Sequence, residues 1–217
     1  MRAILLAALL SLAGARAAHA ESEHFEQIRA DGGLGVSKAA LDDRGGISLI
    51  AEVKAMVTDD LAIGGRVEIA MIYGGVLGMD ELPFDFTLAA SGLVKGEFFL
   101  PGSERYLVRP FVGLGAGAYT IGSHQIQDGP NTSGISTAIG RYFGVAPQVG
   151  IDIGRVRLAA TYNAILGATL EVHDQVGTAQ EITRVSQNYL TLELSFRFAG
   201  GRKSIPPPPV QPTPGYP

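Results

Sequence analysis

Opposite charges recur two residues apart at four places in the 217-residue chain. The pairs are Arg29 with Asp31, Glu52 with Lys54, Arg66 with Glu68, and Lys95 with Glu97. Residues i and i+2 of a β-strand lie on the same face, so within strands each pair would project to one side of a sheet. Such pairs could gate ions. They could also form a static polar core in which neighbouring charges neutralise one another, and we favour this second interpretation.

Two further groups contain residue types that occur in hydrolytic or metal sites. The groups are Ser123, His124 and Asp128, and Glu171, His173 and Asp174. Each could supply a nucleophile or a base. We expect both groups to lie in long loops, where no strand holds them in a reacting geometry, and two adjacent ligands define no coordination set. We therefore predict no catalytic residue, no metal site and no cofactor, and expect that the protein is not an enzyme.

The composition excludes several classes of protein. The chain has no Cys, so it forms neither disulfides nor thiolate metal sites. With 46% hydrophobic residues it is too apolar for a disordered chain, and a net charge of −4 lacks the basic excess of a nucleic-acid-binding protein. No segment after the first twenty residues has the roughly 18 consecutive apolar residues that a transmembrane helix needs.

The two ends of the chain differ in composition from the middle. Residues 1–20 have a basic start at Arg2, a short apolar run, and small residues at Ala18 and Ala20, which predicts a signal peptide cleaved before Glu21. Residues 199–217 contain seven prolines, which predicts an extended polyproline-like tail. That tail could be a spacer or could dock a periplasmic partner. The folded domain is then expected over residues 21–198.

The middle of the chain alternates apolar and polar residues with period two, as strands with one apolar face do. The alternation is clear at 47–57, 61–73, 84–98 and 189–198, and weaker at 26–37, 106–120, 138–153 and 155–165. Short connections at 58–60, 100–105 and 154 alternate with long ones at 38–46, 74–83, 121–137 and 166–187. Alternating loop lengths and an even strand number are typical of barrels in outer membranes. We predict an all-β fold, an eight-stranded antiparallel up-and-down transmembrane β-barrel with both termini in the periplasm.

The charges indicate which face is inside. They fall on the polar face of the strands, with Arg141 as an exception near a loop end. We predict a lumen ion-pair cluster of Arg29, Asp31, Glu52, Lys54, Arg66, Glu68, Lys95, Glu97, Arg109, Glu193 and Arg197. An aromatic girdle is expected from Tyr73, Phe84, Phe98, Phe99, Tyr106, Tyr142 and Tyr162. A soluble barrel with an apolar interior is the alternative.

Two prolines fall inside predicted strands, Pro110 and Pro147. A closed barrel has no free edge that could accommodate a residue without a backbone donor. We expect a rim position or a bulge near the short turns to absorb each of them.

The Gly-rich and aromatic stretch from Arg109 to Tyr119 and the alternating last strand resemble the family of eight-stranded outer-membrane barrels, which includes the OmpA transmembrane domain and OmpX-type proteins. The resemblance implies a Gram-negative outer membrane. It also implies that the last strand is the signal read by the outer-membrane assembly machinery, through Tyr189, Leu190, Leu192, Leu194, Phe196 and Phe198. OmpA-type chains continue from a proline-rich linker into a peptidoglycan-binding domain, a feature that this sequence does not share, so peptidoglycan binding is not carried over from the resemblance.

Together these observations predict a non-enzymatic outer-membrane protein with a structural or surface-interaction role and a lumen plugged by paired charges. Its surroundings would be outer-membrane lipid and lipopolysaccharide, which acidic loops could bridge through divalent cations. A narrow OmpW-like channel for small or apolar molecules is the first alternative. A lipid-modifying enzyme and a soluble periplasmic barrel are the others.

Overall fold

Strands make up nearly all of the regular structure in the computed structural model, which describes residues 22–40, 44–74, 85–103, 106–129, 132–176 and 179–203. The strands are β1 Ile28–Ala39, β2 Gly45–Met56, β3 Leu61–Gly74, β4 Asp85–Phe99, β5 Val108–Gly129, β6 Thr132–Ile153, β7 Val156–Leu166, β8 Thr169–Val176, β9 Ala179–Ser186 and β10 Tyr189–Ala199. No helix in these ranges is long and apolar enough to cross a membrane.

Eight strands close into an antiparallel barrel in the order β1-β10-β7-β6-β5-β4-β3-β2, and β8 and β9 form a separate two-stranded sheet. Each barrel strand pairs with the strands that precede and follow it in the barrel, and β1 closes on β10. The predicted eight-stranded antiparallel up-and-down barrel is therefore confirmed. The β8–β9 hairpin forms the connection between β7 and β10. Strands β7 and β10 are therefore consecutive strands of the barrel and pair with each other.

The two ends of the barrel differ in their connections. We call the turn end the one that carries the short connections 57–60, 100–107 and 154–155 and both barrel termini, and the loop end the opposite one. Gly154 takes a left-handed φ of 58° in the tightest turn, a conformation that glycine adopts without strain. In the β2–β3 turn the Thr58 hydroxyl accepts the N–H groups of Asp60 and Leu61.

Two of the predicted long loops are strands, so this part of the sequence-based prediction is wrong. β5 and β6 continue as a paired ladder through residues 121–137, out to the pair Gly129 and Thr132. Residues 166–187 contain the β8–β9 hairpin. Residues 121–137 and strand β9 carry polar residues in both alternating positions, so they lack the period-two pattern by which the other strands were found. Strand β8 does alternate, with Leu170, Val172 and Val176 between polar residues, and the prediction overlooked it.

The two strand prolines occupy different positions. Pro110 pairs with Ile151 of β6, and its carbonyl accepts Leu100 N–H at 3.0 Å, so its nitrogen faces the residue after the end of β4, as expected for the rim. Pro147 lies inside the wall. The β6–β7 ladder keeps one register on both sides of it but skips Ala146 and Pro147, so an interrupted ladder, and not the expected rim or bulge, absorbs the missing donor.

The N-terminal segment, residues 22–27, continues the contact between β1 and β10 beyond the barrel. Phe25 forms an antiparallel bridge with Arg202, and Lys203 N–H donates to the His24 carbonyl at 2.9 Å. The segment therefore lies at the turn end. The predicted signal peptide and residues 204–217 lie outside the described residues.

Candidate functional site in the barrel interior

Alternate residues of each barrel strand face the interior, as in β10, where buried and exposed side chains alternate from Tyr189 to Arg197. The described interior contains seven buried cations and six buried anions. The cations are Arg29, Lys54, Arg66, Lys95, Arg109, Arg157 and Arg197, and the anions are Asp31, Glu52, Glu68, Glu97, Asp152 and Glu193. Such numbers of buried charge are tolerated only where the charges pair with one another.

Glu52 and Glu97 are the centre of this cluster. Glu52 contacts Lys54 Nζ at 2.8 Å, Arg157 Nη1 at 3.0 Å, and also Lys95. Glu97 contacts the same three cations, at 2.9 Å for Lys54, 2.7 Å for Lys95 and 2.5 Å for Arg157. Arg157 belongs to β7, three strands away around the barrel from both β2 and β4. Its guanidinium therefore crosses the lumen.

A second set of contacts joins β3 to β10 across the interior. Arg66 Nη1 lies 2.5 Å from Glu193 Oε2 and 3.0 Å from Glu52 Oε1, and Arg66 Nη2 lies 2.8 Å from Glu68. The Thr191 hydroxyl donates to the other oxygen of Glu68 at 2.8 Å. Glu68 is thus held by its own strand and by β10.

The third set lies nearer the turn end and is centred on Asp152. Its two oxygens accept from Arg157 Nε at 2.8 Å, Arg29 Nη1 at 2.5 Å and Arg197 Nη2 at 3.1 Å. Arg29 also pairs with Asp31 at 2.9 Å. Because Arg157 joins Asp152 to Glu97 and Glu52, all three sets form one connected network.

Arg109 is the exception among the predicted cluster residues. Its guanidinium carbon lies 4.0 Å from the centroid of the Phe25 ring and 4.2 Å from that of Phe99, and its Nη2 donates to the Asp59 carbonyl at 2.6 Å. These are cation–π contacts and a backbone hydrogen bond. Arg109 therefore helps to close the turn end of the barrel.

Apolar layers lie on both sides of the ionic network. At the turn end the layer is Phe25, Met56, Ala62, Phe99, Phe111 and Ala159. Towards the loop end it includes Ile72, Leu93, Ile121 and Tyr119, whose hydroxyl donates to Asn163 Oδ1 at 2.8 Å. A Cβ at Gly144 would lie 2.6 Å from the Tyr119 ring, so the absence of a side chain there makes room for the tyrosine.

All eleven residues predicted for the lumen cluster are buried inside the barrel. The predicted cluster left out Asp152 and Arg157, although the alternation of the sequence places both on the polar face. They do not follow the i, i+2 spacing, but they are directly paired across the β6–β7 hairpin. The register of that hairpin, set by the turn at Gly154, is the signal that could have identified them.

The outer face of the barrel is apolar, with exposed side chains that include Leu34, Val53, Val67, Leu114 and Leu194. Aromatic residues are exposed near both ends. Phe98, Tyr106, Phe196 and Phe198 lie near the turn end, and Tyr73, Phe143 and Tyr162 lie towards the loop end. Among the barrel-strand side chains whose burial the structure describes, only those of Lys38 and Arg141, both near the loop end, are exposed and charged.

Three members of the predicted girdle differ from the exposed aromatic residues. Phe99 is fully buried and faces the interior, so its assignment to the outer face is wrong. Tyr142 packs partly against the inner apolar layer, and Phe84 lies outside the described residues. The predicted assembly signal divides between the faces: Tyr189 is buried, whereas Leu190, Leu192, Leu194, Phe196 and Phe198 are exposed.

The two candidate catalytic groups lie on strands. Ser123, His124 and Asp128 belong to β5, and Glu171, His173 and Asp174 belong to β8. The expectation that no strand holds them is therefore wrong. His124 and Asp128 are four residues apart in β5, about 13 Å at a strand's rise, so the backbone does not bring them together.

The turn end carries a cluster that the sequence did not indicate. Asp59 Oδ1 accepts the Ser22 hydroxyl at 2.5 Å and His24 N–H at 3.1 Å, and Asp59 Oδ2 lies 2.7 Å from His24 Nδ1. Partial burial raises the pKa of Asp59, but the hydrogen bonds from Ser22 and His24 outweigh it and lower that pKa below its ordinary value. Ser, His and Asp are the types of a hydrolytic triad, yet Ser22 bonds to the carboxylate and not to the imidazole, so the order of contacts is wrong for a nucleophile.

Comparison with known proteins gives similarity only at the level of structure. No family profile matches the chain, and no curated protein matches it. Solved structures that it resembles include Neisserial surface protein A, NspA, with 14% identity over 81% of this chain and 96% of that one, at a TM-score of 0.42. The attachment invasion locus protein Ail of Yersinia pestis, in complex with the heparin analogue sucrose octasulfate, gives 14% identity, coverage of 81% and 99%, and a TM-score of 0.40. The outer membrane protein OprG from Pseudomonas aeruginosa gives 13% identity, coverage of 82% and 97%, and a TM-score of 0.45. All three are eight-stranded outer-membrane barrels, the class that the sequence resembles.

Proposed function

We propose that this protein is a non-enzymatic outer-membrane β-barrel of a Gram-negative bacterium, with a structural or surface-interaction role and a lumen closed by its own ion pairs. The turn end and both termini lie in the periplasm, and the loop end faces outward. Outer-membrane lipid and lipopolysaccharide surround the barrel. The assembly machinery reads β10, through Tyr189 and the apolar side chains that continue to Phe198.

The observation that carries this proposal is the opposite character of the two barrel faces. The inside holds thirteen buried charges, and the outside exposes aliphatic side chains along the strands. A soluble barrel requires the reverse, since water would surround the apolar face and the charges would lose their hydration. Lipid outside and paired charges inside satisfy both faces.

The spacing of the aromatic residues agrees with the thickness of a membrane. Phe86 and Phe98 lie twelve residues apart in β4, and the centroid of the Phe86 ring lies 5.4 Å from that of the exposed Tyr73, with the two rings tilted by 45°. At a rise of about 3.3 Å per residue and a tilt of about 40°, twelve residues cover about 30 Å of barrel height. The apolar band of such barrels is roughly 25 Å tall, with aromatic girdles at both borders.

The ionic network supports a closed lumen over the narrow channel. Arg157 reaches from β7 to Glu52 and Glu97, and Arg66 reaches from β3 to Glu193, so side chains span the interior in two directions. Each of these side chains is at least nine-tenths buried. An eight-stranded barrel is only just wide enough to hold side chains, and side chains that cross it in two directions support a closed lumen.

Single-channel recording tests the closed lumen. The mature protein, folded in detergent and added to a planar lipid bilayer in concentrated KCl, is expected to give no discrete conductance steps. A double variant, Glu97→Ala with Arg157→Ala, removes side chains that meet across the lumen and is expected to conduct if it still folds. Steady conductance by the unmodified protein, equal to that of the double variant, would favour the channel instead.

The absence of enzymatic activity is tested separately. Incubation of the folded protein with radiolabelled lipopolysaccharide and phospholipid is expected to leave both unchanged when the products are separated by thin-layer chromatography. Release of a labelled acyl chain, abolished by Ser123→Ala or His124→Ala, would instead identify a lipid-modifying enzyme.

A further inference from the structure

Three side chains of metal-ligating type meet at the turn end of the barrel, beyond the ends of its strands. Glu23 and His24 belong to the N-terminal segment, and Asp59 belongs to the β2–β3 turn. Each offers one ligand atom, and the three atoms all lie within 4.8 Å of one another. In the part of the chain that the structure describes, no other three such side chains are grouped in this way.

We propose that Glu23, His24 and Asp59 bind a divalent transition-metal ion, with Zn²⁺ as the best match, and that the ion fastens the N-terminal segment to the β2–β3 turn. This site is independent of whether the lumen is closed. It adds a ligand-binding function at the periplasmic end of the barrel.

The position of the Asp59 carboxylate favours coordination. Its Oδ1 is occupied by the Ser22 hydroxyl and by the backbone N–H of His24. Ser22 is itself buried, so its hydroxyl is a fixed partner. These two hydrogen bonds orient Oδ2 towards the His24 ring, 2.7 Å from Nδ1. Hydrogen bonds of this kind to a ligating carboxylate fix its direction and strengthen metal binding.

The spacing of the ligand atoms requires only a small adjustment. Zinc lies about 2.0–2.2 Å from nitrogen and oxygen ligands, so two ligands in a tetrahedral site are about 3.3 Å apart. The His24 Nδ1 to Asp59 Oδ2 distance of 2.7 Å must therefore increase by about half an ångström. The His24 side chain is 41% exposed, which leaves it free to rotate and leaves room for water in the remaining coordination positions.

The chemistry of the ligands selects the kind of ion. One imidazole and two carboxylates provide a nitrogen and two oxygens around a cation, with two negative charges to balance a divalent ion. Imidazole suits zinc, copper and nickel, whereas calcium and magnesium prefer sites made of oxygen ligands alone.

A bound ion would join parts of the chain that are 35 residues apart. The N-terminal segment also contributes Phe25, which stacks on Arg109 over the turn-end opening. An ion at Glu23, His24 and Asp59 would therefore hold Phe25 in place and strengthen the closure of that end.

Metal titration of the folded, untagged chain beginning at Glu21 tests the site. Zn²⁺ binding is measured by isothermal titration calorimetry, and Co²⁺ binding by the visible absorption of the bound ion. We expect one ion per protein. The variants His24→Ala and Asp59→Asn should each lower the affinity at least tenfold, whereas the matched controls Glu26→Gln and His173→Ala should bind as the unmodified chain does.

Three results would overturn the proposal. The first is no saturable binding to the unmodified chain, and the second is unchanged affinity in His24→Ala or Asp59→Asn. The third is an equal loss in His173→Ala, which would locate the ion elsewhere. Heat-dependent gel migration of every variant checks that the barrel is folded, so that loss of binding reports on the ligands.

Discussion

Arg157 illustrates how single residues close the interior. Its guanidinium contacts Glu52, Glu97 and Asp152, which belong to three different strands. Substitution by Met keeps much of the side-chain volume but removes the positive charge that neutralises these three carboxylates. We expect Arg157→Met to lower the free energy of unfolding by about 3–5 kcal/mol, as removal of one partner from a buried pair usually does.

Urea unfolding in detergent measures this change, followed by tyrosine fluorescence or by the loss of the folded gel band, since the chain has no Trp. The matched control is Arg155→Met, two residues away in an exposed turn, which should change stability by less than about 0.5 kcal/mol. Equal effects of the two substitutions would contradict a network centred on Arg157.

Asp59 gives the turn end a dependence on pH. Its pKa in the folded protein is lowered, so its ionised form stabilises the contact between the N-terminal segment and the β2–β3 turn above the ordinary aspartate pKa of about 3.9, and this stability is lost as the pH falls through the lower folded value. Amide hydrogen exchange at His24 and Phe25 should therefore accelerate as the pH falls below about 4, beyond the intrinsic pH effect. In Asp59→Asn the protection should be weak throughout and should show no such step. An unchanged profile in that variant would contradict the assignment.

At the scale of single residues the sequence predicted which charges face inward but not all of their partners. The spacing of Glu52 and Lys54 identified both as interior residues. It could not identify Arg157 as a partner of Glu52, because that contact crosses the lumen and depends on barrel closure. The cluster of His24 and Asp59 was missed for the same reason, since its members come together only when the N-terminal segment folds back.

Among the strands, β6 contains an interrupted hydrogen-bond ladder at Pro147, and a single substitution can test its effect on stability. Its nitrogen faces β7, where Tyr162 would be its partner. Pro147→Ala supplies the missing donor and is expected to raise the free energy of unfolding by about 1 kcal/mol, the net value of one hydrogen bond. Amide exchange along β7 should slow in parallel.

Pro110→Ala is the matched control for this substitution. Pro110 faces Leu100, whose carbonyl already accepts Ser103 N–H at 3.1 Å, so the new donor completes no ladder and stability should change little. If the two alanine variants behaved alike, the gap beside Pro147 would not be the cause of the effect.

At the scale of strands the sequence was accurate where one face is apolar and the other polar. The alternation in β2, β3, β4 and β10 follows directly from a barrel wall with an apolar outer face and a polar interior. The continuation of β5 and β6 and strand β9 were missed because their sequences are polar in both alternating positions, so their backbone pairing leaves no period-two pattern in the sequence. The short alternation of Leu170, Val172 and Val176 in β8 was present in the sequence and was overlooked.

The whole molecule combines an apolar outer face, which we propose lies in lipid, with an interior of buried charges that pair with one another. Cell fractionation followed by electrophoresis with and without boiling tests this combination most directly, because a closed barrel resists dodecyl sulfate until it is heated. We predict that the protein is found in the outer-membrane fraction and migrates faster before boiling than after. Recovery in the soluble periplasmic fraction, or identical migration under both conditions, would contradict the assignment of the apolar face to lipid.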